Sequence, residues 1–231
     1  MSFRQNFDVL TPNKVLLQKI RVGNPDGDGG YVFPIGVRVD ALLSYGVGGD
    51  VSFEEGFKGR FSKPVACFDH TVNSIPSEDK DIQFFQEGVS NTSSGMLGTI
   101  ESHVKKLGWA GIPIALKMDV EGAEWDVLDD ISRQSEVKIL VIELHDLCRE
   151  MRPSLIRLHD SFFCIHVHGN NYCGVSTYDK VYPNTVEAVF IRRGEAEPDG
   201  IDYGSFPTVL DIPNSGSSDI RCDWWRHFHR M

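Results

Sequence analysis

Residues 114–131 read "IALKMDVEGAEWDVLDDI". The stretch is mostly apolar as far as Met118, then carries six carboxylates in thirteen residues. A short apolar run bounded by turn residues reads as a buried strand, and "AEWDVLDDIS" (123–132) reads as the helix that follows it. Three acids, Asp119, Glu121 and Glu124, crowd the junction. Asp119 and Glu121 flank Val120, so in extended backbone they share a face, and two like charges on one face want a cation, donors or a shared proton. Glu124 and Asp126 fall in the first helical turn, where carboxylates meet the positive end of the helix dipole.

The same alternation runs outward on both sides. Strands are expected in "DALLSY" (40–45), "PVACFDHT" (64–71), "IQFFQEGVS" (82–90), "KILVIELHD" (138–146), "FCIHVHGN" (163–170) and "TVEAVFIRR" (185–193). Helices are expected in "SFEEGFKGRF" (52–61), "GTIESHVKKLGW" (98–109) and "REMRPSLIRLHDSF" (149–162), the last kinked at Pro153. A further helix is expected over 7–20, before the Gly/Asp/Pro-rich loop 21–34 that leads into the short strand "YVF". In that loop Asp26-Gly27-Asp28 resembles a fragment of a calcium loop but lacks the later acid, and reads as a turn. Near-continuous apolar strands separated by helices predict an α/β, Rossmann-like fold: a mostly parallel twisted sheet of about seven strands with helices on both faces. The last two strands have only a turn-rich segment between them and are expected as an antiparallel pair at one edge. A single domain is expected over 1–231: a lead-in over 1–36, a core over 37–193 and a C-terminal extension over 194–231. The extension ends in "CDWWRHFHRM" (222–231), expected to pack on the domain as a docked helix or ordered arm.

Composition narrows the function classes. The 231 residues hold 33 acids and 23 bases, a formal charge of −10, with no Lys/Arg block. That argues against nucleic acid and against an anionic membrane surface. No run approaches the ~20 apolar residues of a membrane span, and the N-terminus has no signal-peptide core, so a cytoplasmic protein is expected. The five cysteines form no C-x-x-C pair and argue against a disulfide framework.

In an open α/β sheet, ligands bind outside the carboxyl ends of the strands. The sequence puts Tyr45-Gly46-Val47-Gly48-Gly49-Asp50 after the first strand, Asp69-His70-Thr71 after the second, and Gly88 and Ser90 after the third. The later strands end in Asp119 and Glu121, in Glu143, His145 and Asp146, and in His168, Asn170 and Asn171. A glycine turn followed about twenty residues on by an acid suits a ribose-bearing cofactor, either a nicotinamide dinucleotide or S-adenosylmethionine.

Taken in order, "LLSYGVGGDVSFEEGF", "VACFDHT", "LKMDVEGAEWDVL", "VIELH" and "HVHGNNYC" resemble the FkbM-type methyltransferases over roughly residues 27–193. The most specific element is Lys117-Met118-Asp119-Val120-Glu121-Gly122-Ala123-Glu124. The resemblance implies the class I S-adenosylmethionine-dependent fold and activity. It also implies roles. Tyr45, Gly46, Gly48 and Gly49 would form the turn that passes close to the cofactor. Asp69 would bind the ribose hydroxyls, with His70 and Thr71 beside the adenosine and Ser90 near the adenine. Asp119 would face the sulfonium. The family's acid before the first glycine is replaced here by Ser44-Tyr45, which leaves Asp50 or Glu54 to supply that carboxylate. The acceptor expected is a hydroxyl on a sugar, glycan or small natural product. Its proton requires a base, for which His145 and His168 are candidates, with Asp119 and Glu121 orienting the acceptor.

Other readings stand beside these. His145 after Glu143 is equally a strand-end ion pair. His166 is expected to face away from His168, as a structural residue. A divalent metal on Asp119, Glu143, His145, His168 and Asn170 is a less favoured expectation, because their spacing matches no known ligand pattern. The competing functions are an NAD-dependent oxidoreductase, against which the missing G-x-G-x-x-G counts, and a methyltransferase-like protein that binds a ligand without turnover.

Overall fold

A computed structural model describes residues 2–226. The chain opens with helix α1 (Arg4–Val9), then strands β1 (Gln18–Gly23), β2 (Gly30–Ile35) and β3 (Ala41–Tyr45). Helix α2 (Ser52–Phe61) leads to β4 (Val65–Phe68), β5 (Ile82–Phe85) and the short strands β6 (Gly88–Val89) and β7 (Leu97–Gly98). After α3 (Ile100–Lys106) come β8 (Ile114–Met118), α4 (Glu124–Arg133), β9 (Val137–Leu144), α5 (Pro153–Ser161) and β10 (Phe162–Gly169). A small hairpin, β11 (Val175–Thr177) and β12 (Val181–Pro183), precedes the last strand, β13 (Val186–Arg192).

Seven strands form the central sheet in the order β10-β13-β9-β8-β3-β4-β5. From β9 to β5 all neighbours are parallel, whereas β13 runs antiparallel to both β9 and β10. The pair β10–β13 thus forms one edge of the sheet, as expected. Period-two alternation divides each strand between two cores. Leu140, Ile142 and Leu144 of β9 pack with residues of α1, α3, α4 and α5, while Ile139 and Val141 pack on the other side with α2 and the β1–β2 hairpin. Burial on both faces explains why these strands read as unbroken apolar runs.

Several local expectations are corrected. The helix expected over 7–20 stops at Val9, and 18–23 is the first arm of a hairpin with β2, because Val22 and Tyr31 gain a face of the second core. The turn of that hairpin contains Asp26-Gly27-Asp28, with the Asp26 amide donating to Asn24 Oδ1 at 3.0 Å. The run 82–90 is two strands, β5 and β6, the second paired with β7. The helix expected from 149 begins only at Pro153, the first-turn position that tolerates a missing N–H. The turn-rich segment before β13 holds the β11–β12 hairpin.

His166 and His168 share a face rather than opposing each other, since residues two apart in a strand point the same way. Both meet the C-terminal extension: His166 Nε2 lies 2.8 Å from Asp211 Oδ1, and His168 Nε2 lies 2.9 Å from Asp219 Oδ1. The extension also covers the edge strand β10, with a bridge between Gly169 and Ile220. It is anchored by two buried indoles, Trp224 donating to Phe7 O at 2.8 Å and Trp225 to Asp202 O at 3.0 Å. The two tryptophans of the terminal motif therefore pack on the domain, while residues 227–231 lie outside the described residues. No helix among the described residues is long and apolar enough to cross a membrane.

Candidate active site

Backbone hydrogen bonds tie the ends of the central strands together. Gly46 N donates to Phe68 O, Asp69 N to Phe85 O and Asp119 N to Tyr45 O, each at 3.1 Å. Gly46 has φ +70°, and a Cβ there would strike the carbonyl of Asp119, so the close approach of two strand ends demands glycine. Beyond this edge lies a cavity of about 360 Å³. Tyr45, Gly46, Gly48, Gly49 and Asp50 form one side of its lining, Asp69, His70 and Thr71 another, and Asp119 and Glu121 a third. Of the expected cofactor residues only Glu54 and Ser90 are not part of this lining.

Asp69 is the fixed point of the cavity. Its Oδ2 accepts from Gly48 N at 2.9 Å, and its Oδ1 from Thr71 N at 2.8 Å and Thr71 Oγ1 at 2.6 Å. Burial pushes its carboxyl up, but the Thr71 and Gly48 bonds outweigh this and hold it below the usual carboxylate range. Oδ1 is saturated by two donors; Oδ2, with one, keeps a lone pair for a ligand hydroxyl. Tyr45 is anchored underneath, its hydroxyl 2.9 Å from Nδ1 of His103. Burial pushes His103 down to about 4, so the buried ring is neutral.

A second, smaller cleft of about 100 Å³ lies under the β1–β2 hairpin and shares Gly46, Val47, Asp50 and Asp119 with the larger cavity. Tyr31, Lys117 and Glu54 line it. Glu54 reaches from α2 to hydrogen-bond Ser44, which places a carboxylate beside the strand that lacks one, and burial raises its pKa. Behind the cleft, one face of the sheet carries a lateral polar row. Ser44 is in register with Lys117; on the same face Glu143, two residues beyond Lys117's partner Val141, is in register with Glu187, and Glu187 with His168. Each member is satisfied: Lys117 Nζ donates to Gly46 O at 2.8 Å, Asn170 to Glu143 at 2.8 Å and Asn214 to Glu187 at 2.6 Å. An orphan in such a row would cost about 1–3 kcal/mol.

The expected catalytic residues separate into two groups. Asp119, Glu121 and His145 converge, with one donor atom of each within 4.8 Å of the others. His145 Nε2 is 3.3 Å from Glu121 Oε2 and 3.6 Å from Glu143 Oε1, while Nδ1 is 3.2 Å from Glu124 Oε1. Burial pulls His145 down, but the Glu124 bond and the charges of Glu124, Glu143 and Asp119 outweigh it and raise the ring to about 9. Glu143, 4% exposed, is pushed well above the usual carboxylate range by burial and by the charges of Asp119 and Glu187. His168 stands apart. It is 1% exposed and held between Glu187 Oε2 at 3.0 Å and Asp219 Oδ1 at 2.9 Å. Burial opposes its charge, yet these two carboxylates raise it to about 10, so it is a buried cation with both nitrogens engaged.

Glu124 reaches back to Gly122 N at 2.8 Å and across to His145 N at 2.8 Å, so it ties the turn before its helix to the β9 end. Tyr31, whose hydroxyl donates to Asp119 Oδ2 at 3.1 Å, was not legible as a site residue. Only the hairpin fold brings it over a residue 88 positions away.

No family model matches the chain, and no curated protein does. Among solved structures, a protein of Shewanella sp. PV-4, provisionally named as a riboflavin biosynthesis protein, is 14% identical, with 68% of this chain and 75% of that one covered at a TM-score of 0.27. A likeness at that level carries no argument about this chain.

Proposed function

We propose that the chain is an S-adenosylmethionine-dependent methyltransferase that modifies a hydroxyl on a sugar, glycan or small natural product. One observation carries the reading: the Asp69 carboxylate bonded to Gly48 N–H at 2.9 Å, joining the acid of the second strand to the glycine turn of the first around one cavity. The order of the sheet, with reversed β13 inserted between β9 and β10, supports it as the arrangement of the class I fold that the FkbM resemblance implies.

The residues present fit this cofactor. The open turn at Gly48 and Gly49, where a Cβ would meet no protein atom within 4 Å, leaves backbone free to approach a ligand. Asp69 Oδ2 would accept from a ribose hydroxyl, with His70 and Thr71 beside it on the cavity wall. Bound there, S-adenosylmethionine would supply an electrophilic methyl to the acceptor oxygen, with its sulfur as the leaving group and the acceptor's proton left for a protein base to take. Asp119, on the wall shared by the two cavities, is the carboxylate placed to orient the acceptor and receive that proton. Tyr31 and Lys117 hold it from behind.

Calorimetric titration with S-adenosylhomocysteine and, separately, with NAD tests the reading. S-adenosylhomocysteine is expected to bind and NAD not. NAD binding without S-adenosylhomocysteine binding would favour the oxidoreductase. Mass spectrometry of products from a panel of sugars and hydroxylated natural products then identifies the acceptor, and binding without any product would favour a non-catalytic protein.

A further inference from the structure

We propose that Asp119, Glu121 and His145 form a site for one divalent first-row cation of the Mn²⁺ or Zn²⁺ class. Their donor atoms, one from each, lie within 4.8 Å of one another. Bonds of about 2.0–2.2 Å to one ion require only a modest closing of that triangle. Glu121, with a side chain 86% exposed, is free to make the movement.

Two acids near a histidine are common on protein surfaces, and proximity alone would carry little. The supporting shell is what distinguishes this cluster. Glu124, wholly buried and contributed by α4, holds His145 Nδ1 at 3.2 Å, which turns Nε2 toward the acids. Tyr31, buried and contributed by β2, donates to Asp119 Oδ2 at 3.1 Å. Two of the three donors are thus oriented by buried partners that lie outside the cluster and come from different elements. Metal ligands carry such outer partners, because a fixed tautomer and a fixed carboxylate raise affinity. Lys117 Nζ, 3.9 Å from Asp119, is committed to Gly46 O at 2.8 Å and so stays at the margin of the cluster.

Asp119 and Glu121 also line the large cavity, so the open side of the ion would face the space where a ligand enters. A mixed imidazole and carboxylate set suits Mn²⁺ or Zn²⁺ better than an oxygen-only cage would. The binding claim stands apart from the methyltransferase reading. Its consequence rests on that reading: an ion here takes the acceptor's oxygen as a ligand, which favours acceptors with two neighbouring oxygens, such as a vicinal diol.

The test uses the full chain, stripped with a chelator, in calorimetric titrations with MnCl₂ and ZnCl₂ and by electron paramagnetic resonance with Mn²⁺. Melting curves and S-adenosylhomocysteine titrations run in parallel. One ion per chain is expected, with affinity at least tenfold weaker in Glu121→Gln and His145→Gln and with a Mn²⁺-induced rise in melting temperature that His145→Gln loses. Glu121→Gln alters an exposed side chain and so keeps the comparison open if His145→Gln folds poorly. Wild-type protein that binds neither ion, or binding that both variants retain unchanged, overturns the proposal whatever S-adenosylhomocysteine does. Ion binding without S-adenosylhomocysteine binding sustains the site and overturns the methyltransferase reading instead.

Discussion

Glu124 Oε1 accepts from the backbone N–H of His145 at 2.8 Å and lies 3.2 Å from its ring Nδ1, so one buried carboxylate at the start of α4 sets both the end of β9 and the orientation of the imidazole. The same side chain also accepts from Gly122 N through Oε2, holding the turn before the helix. Glu124→Ala would leave two half-buried N–H groups and a half-buried ring without their acceptor. A loss of about 3 kcal/mol in urea unfolding is expected, from about 1–3 kcal/mol per orphaned group with partial rescue by water. Glu124→Gln, which keeps an acceptor oxygen, should lose less. An alanine variant within ~0.5 kcal/mol of wild type would contradict this tethering role.

Asp69 is the residue on which cofactor binding should turn. Asp69→Ala is expected to weaken S-adenosylhomocysteine by more than tenfold in calorimetry, the loss of one charge-assisted hydrogen bond being about 1.5–3 kcal/mol. Thr71→Val, which removes one of the donors that hold the carboxylate, should weaken it less. Unchanged affinity in Asp69→Ala would remove Asp69 from the ribose site.

Gly46 and Gly49 should separate fold from binding. Gly46→Ala adds a Cβ against the Asp119 carbonyl at φ +70°, so a lower melting temperature and loss of S-adenosylhomocysteine binding are expected together. Gly49→Ala meets no protein atom within 4 Å, so stability should hold while affinity falls. Equal melting temperatures for the two variants would show that the strand ends do not require glycine at Gly46.

His168 should make stability fall as pH rises. Its folded pKa is raised to about 10 by Asp219 and Glu187, against a usual value of 6.5. Between those values the folded state holds a proton that the unfolded state has released, so ∂ΔG/∂pH is negative. The contribution is complete below pH 6.5 and is lost as pH passes through about 10. Urea unfolding at a series of pH values should show a decline of a few kcal/mol over that window, since a tenfold difference in proton affinity between the two states is worth ~1.4 kcal/mol. His168→Gln should be flatter there. A variant with the same slope as wild type would show that another group titrates.

The strand bodies were legible because burial on both faces forces continuous apolar runs, as in "KILVIELHD". The helix expected over 7–20 failed for the complementary reason: Val15, Leu17 and Ile20 are apolar at helical spacing, but they serve a hairpin arm and its approach, and tertiary contacts decided between the two. Asp69, Asp119 and the glycine turn were legible because each follows an apolar run at the edge where such sheets bind ligands. His145 and His168 looked alike in sequence, both at strand ends beside acids. They differ only because the distant residues Asp219 and Glu187 enclose the second.

From the chain of residues alone came the α/β alternation, the glycine turn with its partner acid, and the acid-rich junction at 119–126, since these are set by local periodicity and by where strands must end. The folded arrangement decided which of those polar ends meet. Tyr31 reaches Asp119, Glu124 holds His145 and the C-terminal extension encloses His168 through contacts spanning 88, 21 and 51 residues, respectively. Contacts over such separations form only when the sheet packs, because the entropy of closing those loops is recovered from burial of the two cores rather than from any local signal.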